Sequence, residues 1–174
     1  MEQKNIKKMV ITAMFAALAC VATMVIQVPS FGPSGYVNLG DCIVLLSAWI
    51  LGGSAGALAA GLGSGLADVL TGYAFYAPGT FVIKFLMALI AWLIVKQLQK
   101  LSRNQVVGYV ISAVAAEIVM IVGYLFYEAV ILGYGAAALA AVVSNAIQGG
   151  MNVVIGVIMI EALAGAKVLA KLQA

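Results

Sequence analysis

Six apolar runs, separated by short polar or glycine-rich breaks, take up nearly all of this 174-residue chain. A bilayer core ~30 Å thick needs ~20 apolar residues as helix. On that measure the runs predict helices over 6–28, 41–51, 54–70, 80–98, 106–132 and 137–164. The first stops at Pro29, where a turn-rich stretch follows with Gly32, Pro33, Gly35, Asn38 and Gly40. The run at 41–51 is short for an upright span, so this helix is expected to be short, tilted or packed within protein. Gly52 and Gly53 separate it from the third run, and a second loop at 71–79 carries Gly72, Tyr73, Tyr76 and Pro78. Gly133 to Gly135 turn the chain before the last run. The pattern predicts an all-α integral membrane protein, a six-transmembrane-helix bundle forming one domain over 1–174.

Composition strengthens that picture. Hydrophobic residues make up 65% of the chain and charged residues 9%, against about 25% charged in a soluble domain. So little charge leaves the outside of the molecule to lipid, where every backbone group must be satisfied internally. The few basic residues then set the orientation. Lys4, Lys7 and Lys8 precede the first helix; Lys96, Lys100 and Arg103 lie between the fourth and fifth; Lys167 and Lys171 follow the sixth. With six spans all eight fall on one side, which the positive-inside rule makes cytoplasmic, together with both termini. Scattered at segment ends rather than gathered in a patch, they offer no footprint for nucleic acid.

The apolar runs carry two kinds of exception. The first is small residues. Thr12, Ala13, Ala16, Ala17 and Cys20 form one flank of helix 1, and Gly52, Gly56, Ala60, Ser64 and Asp68 form a row along helix 3. Small side chains let helix backbones approach closely in a membrane. For helix 3 the row reads as packing inside the bundle. For helix 1 packing within the chain and docking to another membrane subunit remain equal alternatives.

The second kind is polar. Ionisable groups inside a membrane are costly and are functional candidates by default. Lys84 is the one basic residue away from the cytoplasmic ends, and Asp68 lies at similar depth. The two are expected to pair across helices 3 and 4, unless the lysine faces a ligand. Glu117, Tyr124 and Glu128 share a face of helix 5, and Asn145, Gln148 and Asn152 share a face of helix 6 beside Ser144. Two such stripes on consecutive helices predict a polar cavity, with hydrogen bonding between the helices as the plainer reading. Tyr36, Asn38 and Asp41 of the first outer loop would complete the cavity from above, with Tyr73 and Tyr76 as stacking or lid residues. Glu161, near the inner boundary, is expected to be solvated.

Catalysis finds no footing in this sequence. It has no histidine, the commonest general base and metal ligand, and no phosphate-binding loop, cofactor fingerprint or nucleophile–base pair. Cys20 and Cys42 fit neither metal-ligand spacing nor a disulfide framework. The segment from Ala17 to Cys20 faintly resembles a lipoprotein cleavage site, but the apolar run continues well past it. No inverted repeat of broken helices supports a self-sufficient transporter either. The expectation is a pocket-bearing membrane subunit that binds no metal or cofactor and draws its energy from partners.

Several segments carry a family resemblance over the whole chain. They are Ala13-Met-Phe-Ala-Ala17, Gly35-Tyr-Val-Asn-Leu-Gly-Asp41, Gly63-Ser-Gly-Leu-Ala-Asp68, Ala77-Pro-Gly-Thr-Phe-Val-Ile-Lys84 and Asn145-Ala-Ile-Gln148-Gly-Gly-Met-Asn152. The chain resembles the S components of energy-coupling factor (ECF) transporters, bacterial micronutrient importers, in the branch with riboflavin, hydroxymethylpyrimidine and pyridoxine carriers. The resemblance implies a subunit of the bacterial cell membrane that binds a small vitamin in its outer half. It also implies docking through Ala13 and Ala17 onto a transmembrane coupling (T) subunit driven by two cytoplasmic ATPases, where the ATP is used. The expected substrate-binding set is Asn38, Asp41, Lys84, Glu117, Tyr124, Glu128, Asn145, Gln148 and Asn152. With Tyr124 the one aromatic on the two stripes, a one-ring ligand, pyridoxine or hydroxymethylpyrimidine, is favoured over riboflavin. A ligand-free scaffold and a stand-alone permease are the rival readings.

Overall fold

Why the chain breaks where it does is visible in the computed structural model, which describes residues 2–101 and 104–166. Helix α1 (Glu2–Val25) gives way to a small antiparallel hairpin, β1 (Gln27–Pro29) and β2 (Tyr36–Asn38), in which Gln27 faces Asn38 and Pro29 faces Tyr36. Pro29, lacking an N–H, sits at a strand end where no ladder bond is lost. The hairpin is closed by the Ser30 N–H donating to the Gly35 carbonyl at 3.2 Å. The stretch expected as a turn-rich loop thus forms a hairpin, and helix 1 ends three residues earlier than its apolar run.

Helix α2 (Gly40–Ile50) is only 11 residues long, or ~16 Å at 1.5 Å per residue. Every one of its residues is buried. It packs on α1 and on three helices further along the chain, α3 (Gly53–Leu70), α4 (Ala77–Leu101) and α6 (Leu139–Gly165). Of the three options left open for this run, the helix is both short and packed within protein. The turn from α2 to α3 needs Gly52 at φ +64°, a conformation that disfavours any side chain. A Cβ there would also lie 2.7 Å from the Trp92 indole nitrogen.

Helix α5 (Gln105–Phe126) starts with Asn104, whose side chain accepts a hydrogen bond from the Val106 N–H at 3.1 Å, a regular N-cap. It ends in a π turn (Tyr127–Ile131), and a 3₁₀ turn (Gly135–Ala138) then leads into α6. Four segments, Asn5–Val25, Ala77–Lys100, Gln105–Ile131 and Gly135–Gly165, are long and apolar enough to cross a membrane. Six helices are present among the described residues, as expected, but the sixfold crossing does not follow from length, because α2 is an interior helix.

The surface is apolar, and a cluster of polar residues lies within an otherwise apolar core. Met9, Met14, Leu18 and Val25 of α1 and Val143, Ile147, Val154 and Ile158 of α6 are exposed, while Asp41, Lys84, Glu117, Gln148 and Asn152 are buried. Lipid accepts such a surface and water does not. Lys7, Lys8, Lys96 and Lys100 lie on helix segments at the end opposite the hairpin, and Glu161 is exposed. Arg103, Lys167 and Lys171 lie outside the described residues.

Candidate functional site: a polar cavity under the hairpin

Beneath the hairpin the N-terminal turn of α2 brings a carboxylate into the middle of the bundle. Asp41 is fully buried, with Lys84 of α4 bonded to one carboxylate oxygen and the Gln148 amide of α6 donating to the other at 2.5 Å. The Lys84 ammonium also lies 5.3 Å from the centre of the Tyr124 ring, within cation–π reach. The expected Asp68–Lys84 pair does not form. Lys84 pairs with Asp41, while Asp68 accepts a hydrogen bond from the Tyr36 hydroxyl at 2.7 Å. The reason is the depth of α2: its first turn hangs inside the bundle beside α4, nearer to the lysine than the end of α3.

Two amides of α6 extend this knot. The Gln148 carbonyl oxygen accepts from the Asn38 N–H at 2.9 Å, and the Asn152 side chain accepts from the Cys42 N–H at 3.0 Å and donates to the Asn38 carbonyl at 2.9 Å. The Asn38 side chain in turn accepts from the Gly40 N–H at 2.8 Å. Two of these bonds satisfy free N–H groups in the first turn of α2, those of Gly40 and Cys42, and the others fix the end of the hairpin. Gln148 and Asn152, expected among the ligand contacts, already have partners within the protein.

Above the knot lies a cavity of about 40 Å³. Of the nine expected binding residues, Asn38, Lys84, Tyr124, Glu128, Asn145 and Gln148 line it, whereas Asp41, Glu117 and Asn152 do not. Glu117 sits on α5 about three turns, ~16 Å, before Glu128 of the π turn. It is buried to 4% exposure, and neither carboxylate oxygen has a hydrogen-bond partner.

The structure adds a second group of lining residues that sequence reasoning had not placed in the site: Thr23 of α1, Ser64 and Asp68 of α3, and Thr80 of α4. Ser64 and Asp68 end the small-residue row of α3. Its first members, Gly56 and Ala60, are buried packing residues, and the same spacing carries the row into the cavity. The switch from apolar to polar along that row was the available signal.

Aromatic residues are more plentiful than the helix stripes indicate. Tyr36, Tyr73 and Tyr76 join Tyr124 in the lining, with ring centres 4.9 Å apart for Tyr36–Tyr73, 6.3 Å for Tyr73–Tyr76 and 6.4 Å for Tyr76–Tyr124. The shortage of stacking surface that disfavoured a large ring is thereby removed. Burial, and then the neighbouring carboxylates Asp68 and Glu128, push the Tyr36 and Tyr76 hydroxyls well above the ordinary phenol range, so both remain protonated donors. Tyr76 donates to Glu128 at 3.0 Å. The π turn carries Glu128, and a turn of this kind often marks a functional position. The hairpin is also held to α6, where the Phe31 N–H donates to the Ser144 hydroxyl at 2.8 Å.

Among known proteins, the sequence matches over residues 3–165 the family described as ECF-type riboflavin transporter, S component. A protein of Pyrococcus woesei described as an uncharacterised protein in a gap 3′ region is 33% identical over 136 residues, 78% of this chain and 87% of that one. A solved structure described as the S component of a bacterial ECF transporter aligns with a TM-score of 0.69 at 22% identity, over 92% of this chain and 97% of the other. At that identity the structural likeness establishes the fold. The family match establishes more: the chain belongs to the ECF-type riboflavin transporter S components.

Proposed function

We propose that this S component captures a B vitamin with a flat heteroaromatic ring, riboflavin first, and hands it to an ECF import complex. The observation that carries the reading is the cavity lining, in which four tyrosines stand beside carboxylates and amides. Tyrosine faces cover a flat ring, and the polar groups take the hydrogen bonds of its edges and side chain. The one-ring vitamins pyridoxine and hydroxymethylpyrimidine form the second reading, favoured by the cavity volume of about 40 Å³. Small-molecule sites more often measure roughly 300–1,000 Å³. Riboflavin therefore requires the hairpin or the Tyr73–Tyr76 segment to give way.

In this reading the chain crosses the cell membrane with both termini cytoplasmic, presents the hairpin outward, and contributes no catalysis of its own. The partners are a transmembrane T subunit and two cytoplasmic ATPases. Helix α1 fits the docking role. Ala16 and Ala19 turn toward α3, while Ala13 and Ala17 remain exposed. Replacing Ala13 or Ala17 with tryptophan should abolish co-purification with the T subunit, because a bulky side chain holds the backbones apart, while vitamin binding persists. Retained co-purification and uptake in both variants would refute this interface.

The ligand itself is tested by thermal unfolding of the purified protein with riboflavin, pyridoxine and hydroxymethylpyrimidine. A ligand at a hundred times its Kd stabilises by about 2.7 kcal/mol. Riboflavin is expected to give the largest rise in unfolding temperature. A larger rise with either one-ring vitamin selects the second reading, and none with any of the three leaves a ligand-free scaffold.

A further inference from the structure

Two carboxylates on different walls of the cavity are each held by one tyrosine and left half-satisfied. Asp68 of α3 receives the Tyr36 hydroxyl on Oδ1 at 2.7 Å, and Glu128 of the π turn receives the Tyr76 hydroxyl on Oε1 at 3.0 Å. The second oxygen of each, Asp68 Oδ2 and Glu128 Oε2, is buried without a hydrogen-bond partner. Both side chains are well over nine-tenths buried, at 5% and 3% exposure, and both line the cavity. The Thr80 hydroxyl shares a 3.0 Å hydrogen bond with Tyr124, in which either oxygen can be the donor, and it also lies near Asp68. Thr23 Oγ1 and Ser64 Oγ line the same cavity and are likewise buried without partners.

A buried polar atom without a partner is costly, and two carboxylate oxygens in one small space ask for hydrogen-bond donors, while the two hydroxyls can donate or accept. The cationic side chain lining this cavity among the described residues is Lys84, which is bonded to Asp41. The lining therefore favours a ligand rich in O–H and N–H groups. The Tyr73 ring centre lies 4.9 Å from that of Tyr36 and 6.3 Å from that of Tyr76, and the two acceptors come from different elements, α3 and the π turn after α5.

We propose that Asp68 and Glu128 are the specificity-determining pair of this site, receiving donors from two ends of one ligand, an N–H of a flat ring at one and the hydroxyls of a polyol chain at the other. This rests on the vitamin-binding reading above and names the groups that enforce it. The tyrosine bonds make the test sharp. In Asp68→Asn or Glu128→Gln the amide oxygen can still accept from its tyrosine, which leaves the NH₂ group where the unpartnered acceptor was. A ligand donor then meets a donor.

The experiment is titration of the purified full-length protein and both variants with riboflavin and with lumiflavin, the same ring bearing a methyl group in place of the polyol chain. Thermal unfolding without ligand is measured alongside. Each variant should bind riboflavin about ten- to a hundredfold more weakly, as expected for loss of a charge-assisted bond, with an unliganded unfolding temperature equal to wild type or higher. With lumiflavin the penalty should vanish at one of the two positions and persist at the other. Riboflavin affinity within twofold of wild type in both variants overturns the proposal, and so does an identical penalty for both ligands at both positions. Should either variant fail to fold, Ser64→Ala tests the same wall by removing one small hydroxyl. It is expected to weaken riboflavin binding severalfold at unchanged stability, and unchanged binding counts against the proposal. Failure of the wild-type protein to bind riboflavin is a separate result, which refutes riboflavin as the ligand and, with it, this assignment of the pair.

Discussion

Replacing Lys84 with methionine should destabilise the protein by about 3–5 kcal/mol, the usual cost of leaving one member of a buried ion pair alone. Asp41 is fully buried and would keep only the Gln148 amide as partner. The same carboxylate stands in the first turn of α2, an interior helix contacted by four others, so the disturbance would not remain local. Asp41→Asn should be damaging for the converse reason, since it strands an ammonium over the Tyr124 ring. Combining the two substitutions should recover most of the loss, because neutral groups of similar volume often replace a buried pair without net cost. Unfolding of the purified single and double variants in detergent checks this. Single variants within about 1 kcal/mol of wild type, below even the usual cost of an unsatisfied buried group, would show that the pair is not holding α2. A stable double variant that no longer binds vitamin would add a ligand contact to the role of Lys84.

A methyl group at position 63 should be nearly as harmful. The Cβ of an alanine there would lie 2.3 Å from the Ala16 carbonyl oxygen and 2.8 Å from the Ala19 Cβ. Neither can swing aside, one being backbone and the other fixed directly to it. The helices α1 and α3 would have to separate, and overpacking of this kind costs about 1–3 kcal/mol. The upper end is expected here, since a membrane helix pair gains its contact from close backbone approach. Gly150→Ala is the matched control. Nothing lies within 4 Å of a Cβ at that position, so the higher helix propensity of alanine, worth up to about 1 kcal/mol, should leave stability equal or raised. Unfolding temperatures of the two variants give the comparison, and equal values would rule out tight α1–α3 packing at Gly63.

Gln148 and Asn152 show where reading a chain in one dimension stops. Their spacing on α6 marks them as polar groups facing inward, and they do face inward. Whether an amide there serves a ligand or the protein depends on what stands opposite. In this fold the backbone of Asn38 and Cys42 stands opposite, more than a hundred residues away along the chain. Truncating either amide should therefore lower stability with or without vitamin. Lys84 teaches the same lesson: its burial was legible from its place in an apolar run, but its partner was not. Asp68 has a similar depth along its own helix, yet Asp41 wins because α2 is drawn into the centre of the bundle.

What the order of residues determined by itself is what depends on solvent and on local geometry. The lipid-facing surface, the number of helices and most of their limits, the break at Gly52–Gly53, and the inward turn of the polar stripes all follow from apolar runs, backbone conformational limits and the cost of polar groups in hydrocarbon. The family followed from local motifs as well, because these are the segments that shape the bundle. The tertiary structure alone decided the pairings. It turned α2 from a span into a core helix, and divided the small flank of α1 into Ala16 facing α3 and Ala13 and Ala17 facing outward. It also left Asp68 and Glu128 each with an oxygen unpartnered. Each of these depends on which distant segment comes within hydrogen-bond or van der Waals distance, and periodicity along a helix contains no term for that.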